Sequence, residues 1–285
     1  MVAAARYGPW VPTGADDPIV RHRSGAHPVA QATAAHQEDV PMDQGVQRPP
    51  TRAVTTTTPE IPLAFAARAA GVLAFGIAFG YVEAAVVVDL RGALGVPVGH
   101  LFPLQQATGD AGRLIAIEVG RELATLVMLA TVGLLAGSRP WERLAWAAVA
   151  FGAWDIAYYG WLRVFIGWPP DLSAWDVLFL VPAPWVGPVW APVAVSASLA
   201  VVGVAAAHRL RRGEAIPIGR WQVGAGVAGG GLVVGSFLAG TPGAMTGRMP
   251  TDYPWPVFAV GMLLAGAAAL AAFIRRPQPE VPRSV

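Results

Sequence analysis

Cysteine is absent from the 285 residues of this chain, which excludes disulfides, thiolate metal sites and a cysteine nucleophile. Charged residues are also scarce, at 13% of the chain, whereas soluble domains carry about 25%. Lysine is missing, so all twenty basic residues are arginines, and the formal net charge is only +2. A positive charge this small and dispersed argues against nucleic-acid binding, which needs a concentrated basic face.

Long apolar stretches dominate the rest of the sequence. Hydrophobic residues make up 54% of the chain, and the mean hydropathy is +0.49. From Pro62 onward, six stretches each approach the ~20 residues that a helix needs to cross a bilayer. The sequence therefore predicts an all-α fold, a polytopic membrane helix bundle with six transmembrane spans. The predicted spans are Leu63–Leu90, Leu114–Ala136, Leu144–Ile166, Val177–Ala207, Gln222–Ala239 and Val257–Ile274.

The first part of the chain has a different composition. Residues 1–59 are rich in Pro, His, Gln, Asp and Thr without a sustained apolar period, which predicts a disordered N-terminal tail. This tail lacks the apolar core of a signal peptide, and Met42 is an alternative start to Met1. Residues 60–276 are predicted to form the six-span domain, and residues 277–285 a short cytoplasmic C-terminal tail.

Arginines indicate the orientation in the membrane. Arg139 and Arg143 lie between spans two and three, Arg211 and Arg212 lie between spans four and five, and Arg276 follows the last span. With six spans, these links share one side of the bilayer, which the positive-inside rule makes cytoplasmic together with both termini. We therefore expect a multi-pass protein of the cell membrane. The bilayer is its expected partner, and a homo-oligomer stays open.

The fourth predicted span is interrupted by prolines. Residues 181–192 read VPAPWVGPVWAP, and each proline removes a backbone donor and disturbs a helix. Irregular backbone at membrane depth is tolerated only when it is buried in protein or lines a cavity. Residues 176–188 are therefore predicted to form an interfacial or re-entrant segment that leads into a helix from about Gly187. The segment either lines a site, as broken helices do in transporters, or only caps the outer surface.

Four carboxylates lie inside the apolar spans: Glu83, Glu118, Glu122 and Asp155. Arg121 is the clear counter-charge at comparable depth, so four negative charges and one positive charge would sum to −3. A charge at the centre of a membrane helix costs at least ~2.5–3.5 kcal/mol. Either some carboxyl groups hold protons, or bound cations supply charge, or water reaches the cluster. Each of these outcomes is typical of an ion or proton pathway.

Helical spacing predicts where these side chains point. Glu118, Arg121 and Glu122 are related by three and four residues, so they share one stripe of a helix. Glu83 continues the row of Gly76 and Gly80, a spacing that favours close approach of a neighbouring helix. These side chains are therefore expected to face other helices rather than lipid.

Other candidates for the same site follow from chemistry and position. Tyr158 and Tyr159 share a face with Asp155, and their hydroxyls can donate to its carboxylate. Asp176 is a further candidate beside the proline segment, where Trp185 is predicted to gate the pocket. His100, in the first outer loop, could serve as a base or ligand at the mouth of the pocket, or could simply be solvated.

A metal ion is one option for balancing the charge of this cluster. All-carboxylate ligation suits a hard divalent cation such as Mg²⁺, Ca²⁺ or Mn²⁺. The expected ligands of such an ion are Glu83, Glu118, Glu122 and Asp155.

Four runs resemble an uncharacterised group of prokaryotic multi-pass membrane proteins. They are FGYVEAAVVVDLR (79–91), EVGRELATLVML (118–129), WDIAYYGWLRVFIGWP (154–169) and WDVLFLVPAPWVGPVWAP (175–192). The resemblance covers about residues 71–192, which hold the acidic residues above. It implies a site built by the first four spans, and it carries no known activity.

Three functions stay open from the sequence. The favoured one is an outward-facing carboxylate cluster that binds a cation or proton, with coupling to small-solute transport as an extension. The second is an intramembrane enzyme acting on a lipid or lipid-linked substrate, with one carboxylate as general base. The third is a scaffold or assembly factor whose buried charges serve only packing.

Overall fold

The computed structural model describes residues 62–95, 111–246, 248 and 251–274. The predicted tails, the alternative start at Met42 and the loop with His100 lie outside the described residues. The described part is mostly helical, with one small β-hairpin. Its helices are α1 (Pro62–Leu94), α2 (Ala111–Ala136), α3 (Pro140–Ile166), α4 (Trp190–Arg211), α5 (Arg220–Leu238), α6 (Thr241–Met245) and α7 (Trp255–Ile274), and its strands are β1 (Trp175–Phe179) and β2 (Trp185–Pro188).

Five helices are long and apolar enough to cross a membrane: α1, α2, α4, α5 continued by α6, and α7. The prediction of a multi-pass helical membrane protein is thus confirmed for these five. The helix at the third predicted span, α3, has 27 residues and is about 40 Å long at 1.5 Å per residue. It is less apolar because it carries Glu142, Arg143, Asp155 and Arg163 together with two tyrosines.

Helix α3 is the centre of the first four helices. Helices α1, α2 and α4 all pack against α3, whereas α1 and α2 touch each other only sparingly. Gly76 and Gly80 let α1 approach α3 closely, as their spacing predicts. A Cβ atom added at Gly76 would lie 2.6 Å from the Cβ atom of Ala153, and one at Gly80 would lie 2.9 Å from that of Ala157.

Helices α5 and α7 pack mainly on each other. Their closest approach is at Gly229, where an added Cβ would lie 2.6 Å from the carbonyl oxygen of Gly261. Among the glycines of α5, the structure shows such a close approach at this one. An added Cβ would meet nothing within 4 Å at Gly224, Gly226, Gly230, Gly231 or Gly235.

The proline segment differs from the predicted fourth span, because it forms an antiparallel hairpin before the helix. Strands β1 and β2 pair Asp176 with Gly187, and α4 begins only at Trp190. Pro182 and Pro184 lie between the strands, where no ladder hydrogen bond is required of them. Pro192 falls in the first turn of α4, where a backbone N–H would have no helical partner anyway.

Arginine contacts show which helix ends lie together. Arg68 Nη1 donates to the carbonyl oxygen of Ala136 at 3.1 Å, which brings the start of α1 to the end of α2. Arg211 near the end of α4 contacts Glu142 at the start of α3, and Arg209 donates to the carbonyl oxygen of Phe273 near the end of α7. We call this side the arginine end, and the opposite side, which holds the β-hairpin, the hairpin end.

Candidate functional site

A cavity of about 570 Å³ lies at the hairpin end. Its walls come from α1, α2, α3, the β-hairpin and α6. It brings together eight of the nine predicted site residues: Glu83, Glu118, Arg121, Glu122, Asp155, Tyr158, Tyr159 and Asp176. The spacing on α2 explains part of this convergence, since residues three and four positions apart share a helix face.

Arg121 on α2 contacts two carboxylates, Glu118 on the same helix and Glu83 on α1. Its Nε atom donates to Glu118 at 3.1 Å, and its guanidinium also forms ion pairs with Glu118 and Glu83. The hydroxyl of Thr125 donates to Glu83 at 2.7 Å. Glu83 is only 4% exposed, so these contacts supply the counter-charge and hydrogen bonds that a buried carboxylate requires.

Glu122 connects α2 to the β-hairpin. Its two oxygens accept the backbone N–H of Leu180 at 3.0 and 2.9 Å. Leu180 directly follows β1, where the chain leaves the strand ladder and its N–H needs another acceptor. The side chain of Glu122 therefore positions the hairpin over the cavity.

Two aspartates have hydroxyl donors. Ser196 on α4 donates to Asp155 on α3 at 2.8 Å, and Tyr159 donates to Asp176 on β1 at 3.1 Å. Of the two tyrosines predicted to donate to Asp155, Tyr159 therefore donates to the hairpin instead, and both tyrosines line the cavity. Burial raises the pKa of Asp176 to about 7, and the hydrogen bond from Tyr159 opposes this shift.

The charges around the cavity do not balance. Five carboxylates and two arginines line it, which sums to −3 if all are ionised. Arg121 forms ion pairs with Glu83 and Glu118, whereas Glu122, Asp155 and Asp176 accept hydrogen bonds from neutral donors. The carboxylates that line the cavity thus outnumber its arginines by three.

Aromatic side chains form one wall of the cavity. The ring centroids of Trp154 and Tyr158 are 6.5 Å apart, those of Tyr158 and Tyr159 are 5.2 Å apart, and those of Trp154 and Phe179 are 6.4 Å apart. The indole nitrogen of Trp154 has no hydrogen-bond partner among the described residues, although this side chain is 7% exposed. The wall therefore combines aromatic faces with one unused donor.

Trp185 is the predicted site residue that does not line the cavity. Its ring packs against Phe179 at 5.6 Å and stacks on Phe237 at 6.2 Å between ring centroids. The parts of the hairpin that do line the cavity are residues 176–180 and the turn at residues 182–184. The structure thus places the proline turn over the cavity, where the sequence predicted the tryptophan.

The hard-cation site predicted from four carboxylates has no counterpart in the geometry. No group of three or more His, Asp or Glu side chains among the described residues is arranged to hold a metal ion. The reason lies in the contacts above, because Glu83 and Glu118 are turned to Arg121, whereas Glu122 and Asp155 are turned to separate donors.

A second buried charge network was missed by the sequence reasoning. Glu142, at the arginine end, accepts from Arg211 at 2.5 Å and from the backbone N–H of Ser138 at 2.9 Å. Arg68 lies 3.9 Å away, and the indole of Trp146 donates at 3.4 Å. A glutamate in the first turn after Pro140 is the sequence signal of a helix start, but nothing local indicates its arginine partners.

The cavity also uses residues that the sequence reasoning did not select. Arg91 and Trp154 line it, and Ser196 and Leu180 supply donors to its carboxylates. Arg91 lies in the last turn of an apolar helix, where arginines commonly interact with the last carbonyl groups, so its position only weakly indicates a role in the cavity. The partners of Asp155 and Glu122 lie 41 and 58 residues away in sequence, so no spacing rule reveals them.

Comparisons with protein-family models, curated proteins and solved structures found no match for this chain. The function must therefore be argued from the site itself.

Proposed function

We propose that this protein binds a cation or protons in the cavity at the hairpin end, as a multi-pass protein of the cell membrane. The observation that carries the proposal is that five carboxylates and two arginines line one cavity, and that Glu122, Asp155 and Asp176 accept hydrogen bonds there from neutral donors. An ionised carboxylate in such surroundings requires a compensating positive charge, and a bound cation or a proton supplies it.

The proposed topology has six crossings, with α3 as the crossing in addition to the five apolar helices. In a bundle, the polar side chains of α3 avoid lipid because α1, α2 and α4 pack around it. The arginine end is proposed to be cytoplasmic, together with both termini, since Arg139, Arg143, Arg209 and Arg211 are at that end. The cavity then lies on the outer half of the protein.

Transport of a small solute is the proposed extension of this binding. A transporter must open its binding site to the two sides of the membrane in turn. The described cavity residues all belong to the hairpin end, whereas Glu142, Arg68 and Arg211 hold α1, α3 and α4 together at the arginine end. Opening toward the cytoplasm would have to break this second network.

Infrared spectroscopy of the purified protein tests the proposal. Protonated carboxyl groups absorb separately from ionised ones, so the spectrum is recorded while pH rises through neutrality and again with added cations. We expect buried protonated carboxyl bands that are lost as pH rises or as a cation binds, and that weaken in Asp155→Asn. Glu214→Gln, which removes an exposed carboxylate in the loop after α4, is the matched control.

Full ionisation of the buried carboxyl groups at every pH measured around neutrality, together with no response to any cation, would overturn the proposal. It would leave the scaffold interpretation, in which the charges serve packing only. The cavity argues against a pure scaffold, because close packing does not account for a space of about 570 Å³ lined by seven charged groups.

An intramembrane enzyme is the second candidate, and the sparse contact between α1 and α2 favours it. Both helices line the cavity, so a lipid-linked substrate would have a lateral route to the carboxylates. In this function Glu122, Asp155 or Asp176 would act as the general base. Turnover of a lipid-linked substrate that is abolished by Asp155→Asn would favour the enzyme.

A further inference from the structure

We infer that the ligand of the cavity is an organic cation with an apolar body, such as an ammonium group on an aliphatic chain, which enters from the bilayer between α1 and α2. This inference rests on the proposed function and names its ligand class. Three independent features support it: the size of the cavity, its aromatic wall and its apolar rim.

The size of the cavity fits an organic molecule. Pockets for small organic ligands have volumes of roughly 300–1,000 Å³, and this cavity measures about 570 Å³. A bare metal ion would need several converging oxygen ligands at short range, and the described carboxylates do not converge in that way. The space and the donor arrangement both favour a larger cation that needs no coordination shell.

The aromatic wall is suited to a positive charge. Trp154, Tyr158, Tyr159 and Phe179 present a continuous series of rings to the cavity. The faces of aromatic rings attract cations, and ammonium groups are recognised in this way between aromatic side chains. Asp155 and Asp176 lie in the same cavity as these rings and supply negative charge, since five carboxylates and two arginines line the cavity.

The rim of the cavity is apolar on its open side. Ile115 and Met245 line the cavity and are nevertheless 44% and 70% exposed, so they lie where it reaches the protein surface. Both belong to membrane-capable helical segments, in which exposed apolar side chains face lipid. The backbones of α1 and α2 approach each other at few points, and the Arg121–Glu83 ion pair that joins these helices lies farther along α2, so the route past Ile115 leads between them.

Equilibrium dialysis tests this inference directly. The full chain in dodecyl maltoside is dialysed against radiolabelled hexyltrimethylammonium, with empty micelles as the blank. We expect saturable binding of one cation per protein. Tetramethylammonium, which has the same charge without the chain, should bind about tenfold more weakly because it buries no hexyl group. Hexyl sulfate, with the same chain and the opposite charge, should not compete.

Two variants connect the binding to this cavity. Asp155→Asn removes one negative charge, keeps an oxygen that can accept from Ser196, and should weaken binding by about tenfold or more. Ile115→Trp fills the rim without changing any charge and should also weaken binding. Glu214→Gln, in an exposed ion pair with Arg209 at the arginine end, should leave the affinity unchanged.

Absence of saturable binding would overturn the inference, and so would binding that neither Asp155→Asn nor Ile115→Trp alters. Equal affinity for tetramethylammonium would also overturn it, because the apolar body would then be irrelevant. The infrared experiment separates this failure from that of the proposed function. If the protonated carboxyl bands respond to pH while the organic cation does not bind, the cavity is a proton site and only the ligand class is wrong.

Discussion

The two ends of α3 each bury carboxylates, and they compensate them in different ways. At the arginine end, Glu142 contacts Arg211 and Arg68 and accepts a backbone N–H. At the hairpin end, Asp155 accepts from a serine hydroxyl, and Asp176 accepts from a tyrosine hydroxyl and the backbone N–H of Val177, beside a large cavity. Burial is similar, since Glu142 is 4% exposed and Asp155 is 7% exposed.

This difference separates a structural charge from one that is available to a ligand. A carboxylate paired with arginines inside the protein has its counter-charge permanently in place. A carboxylate that has only neutral donors still lacks a counter-charge, and a proton or a cation from outside must provide it. Under the proposed function, the partners of a carboxylate, and not its burial alone, therefore distinguish a ligand-binding group from a structural one.

The largest expected effect is at Glu142. Glu142→Gln should destabilise the protein by about 3–5 kcal/mol, because Arg211 would lose its carboxylate partner while remaining buried. Unfolding of the detergent-solubilised protein in a denaturant series measures the change. The exposed variant Glu214→Gln should shift stability by less than about 1 kcal/mol. Equal effects of the two substitutions on the free energy of unfolding would show that the contacts of Glu142 with its arginines do not stabilise the fold.

The next effect is a pH dependence at Asp176. Its pKa is raised by burial from 3.8 to about 7, so the folded protein holds a proton that the unfolded chain releases. The resulting stability is fully present below about pH 4 and is lost as pH rises toward 7. Asp176→Asn should remove this decline, which is about 4 kcal/mol for a pKa raised from 3.8 to about 7. Thermal unfolding measured across this window tests it, and an unchanged pH profile in Asp176→Asn would contradict it.

The smallest effect is expected at Arg121, which combines features of both ends. It is paired with Glu83 and Glu118, but its side chain is 24% exposed. Arg121→Gln should cost about 1–3 kcal/mol, because it leaves Glu83 buried without its cation, whereas Arg121 itself is partly screened by solvent. Adding Glu83→Gln should restore part of the loss, since it removes the carboxylate left without its cation. A double-mutant cycle with no coupling between these two positions would contradict the pairing.

Local rules predicted much of the helical part correctly. The apolar runs located all six long helices, with α2 ending at the predicted Ala136 and α3 at the predicted Ile166. The spacing on α2 placed Glu118, Arg121 and Glu122 on one face, which the structure turns toward the cavity. Helical periodicity and apolar length are properties of neighbouring residues, so a single sequence contains them.

Local rules failed where partners are distant in the chain. Prolines indicated an irregular segment after Trp175 but not a hairpin, because strand pairing depends on which backbone groups meet. Trp185 was predicted to gate the cavity, whereas its ring packs between Phe179 and Phe237. The partners Glu142 and Arg211 are 69 residues apart, beyond any periodic pattern.

The sequence by itself determined that this is a helical membrane protein with carboxylates inside its apolar helices, because composition and periodicity are local properties. Only the tertiary structure decided which carboxylates have arginine partners and which face the cavity. That decision depends on how α1, α2 and α4 pack around α3 and on where the hairpin lies. Contact between charges is a matter of distance in space, and residues far apart in the chain acquire it only through the fold.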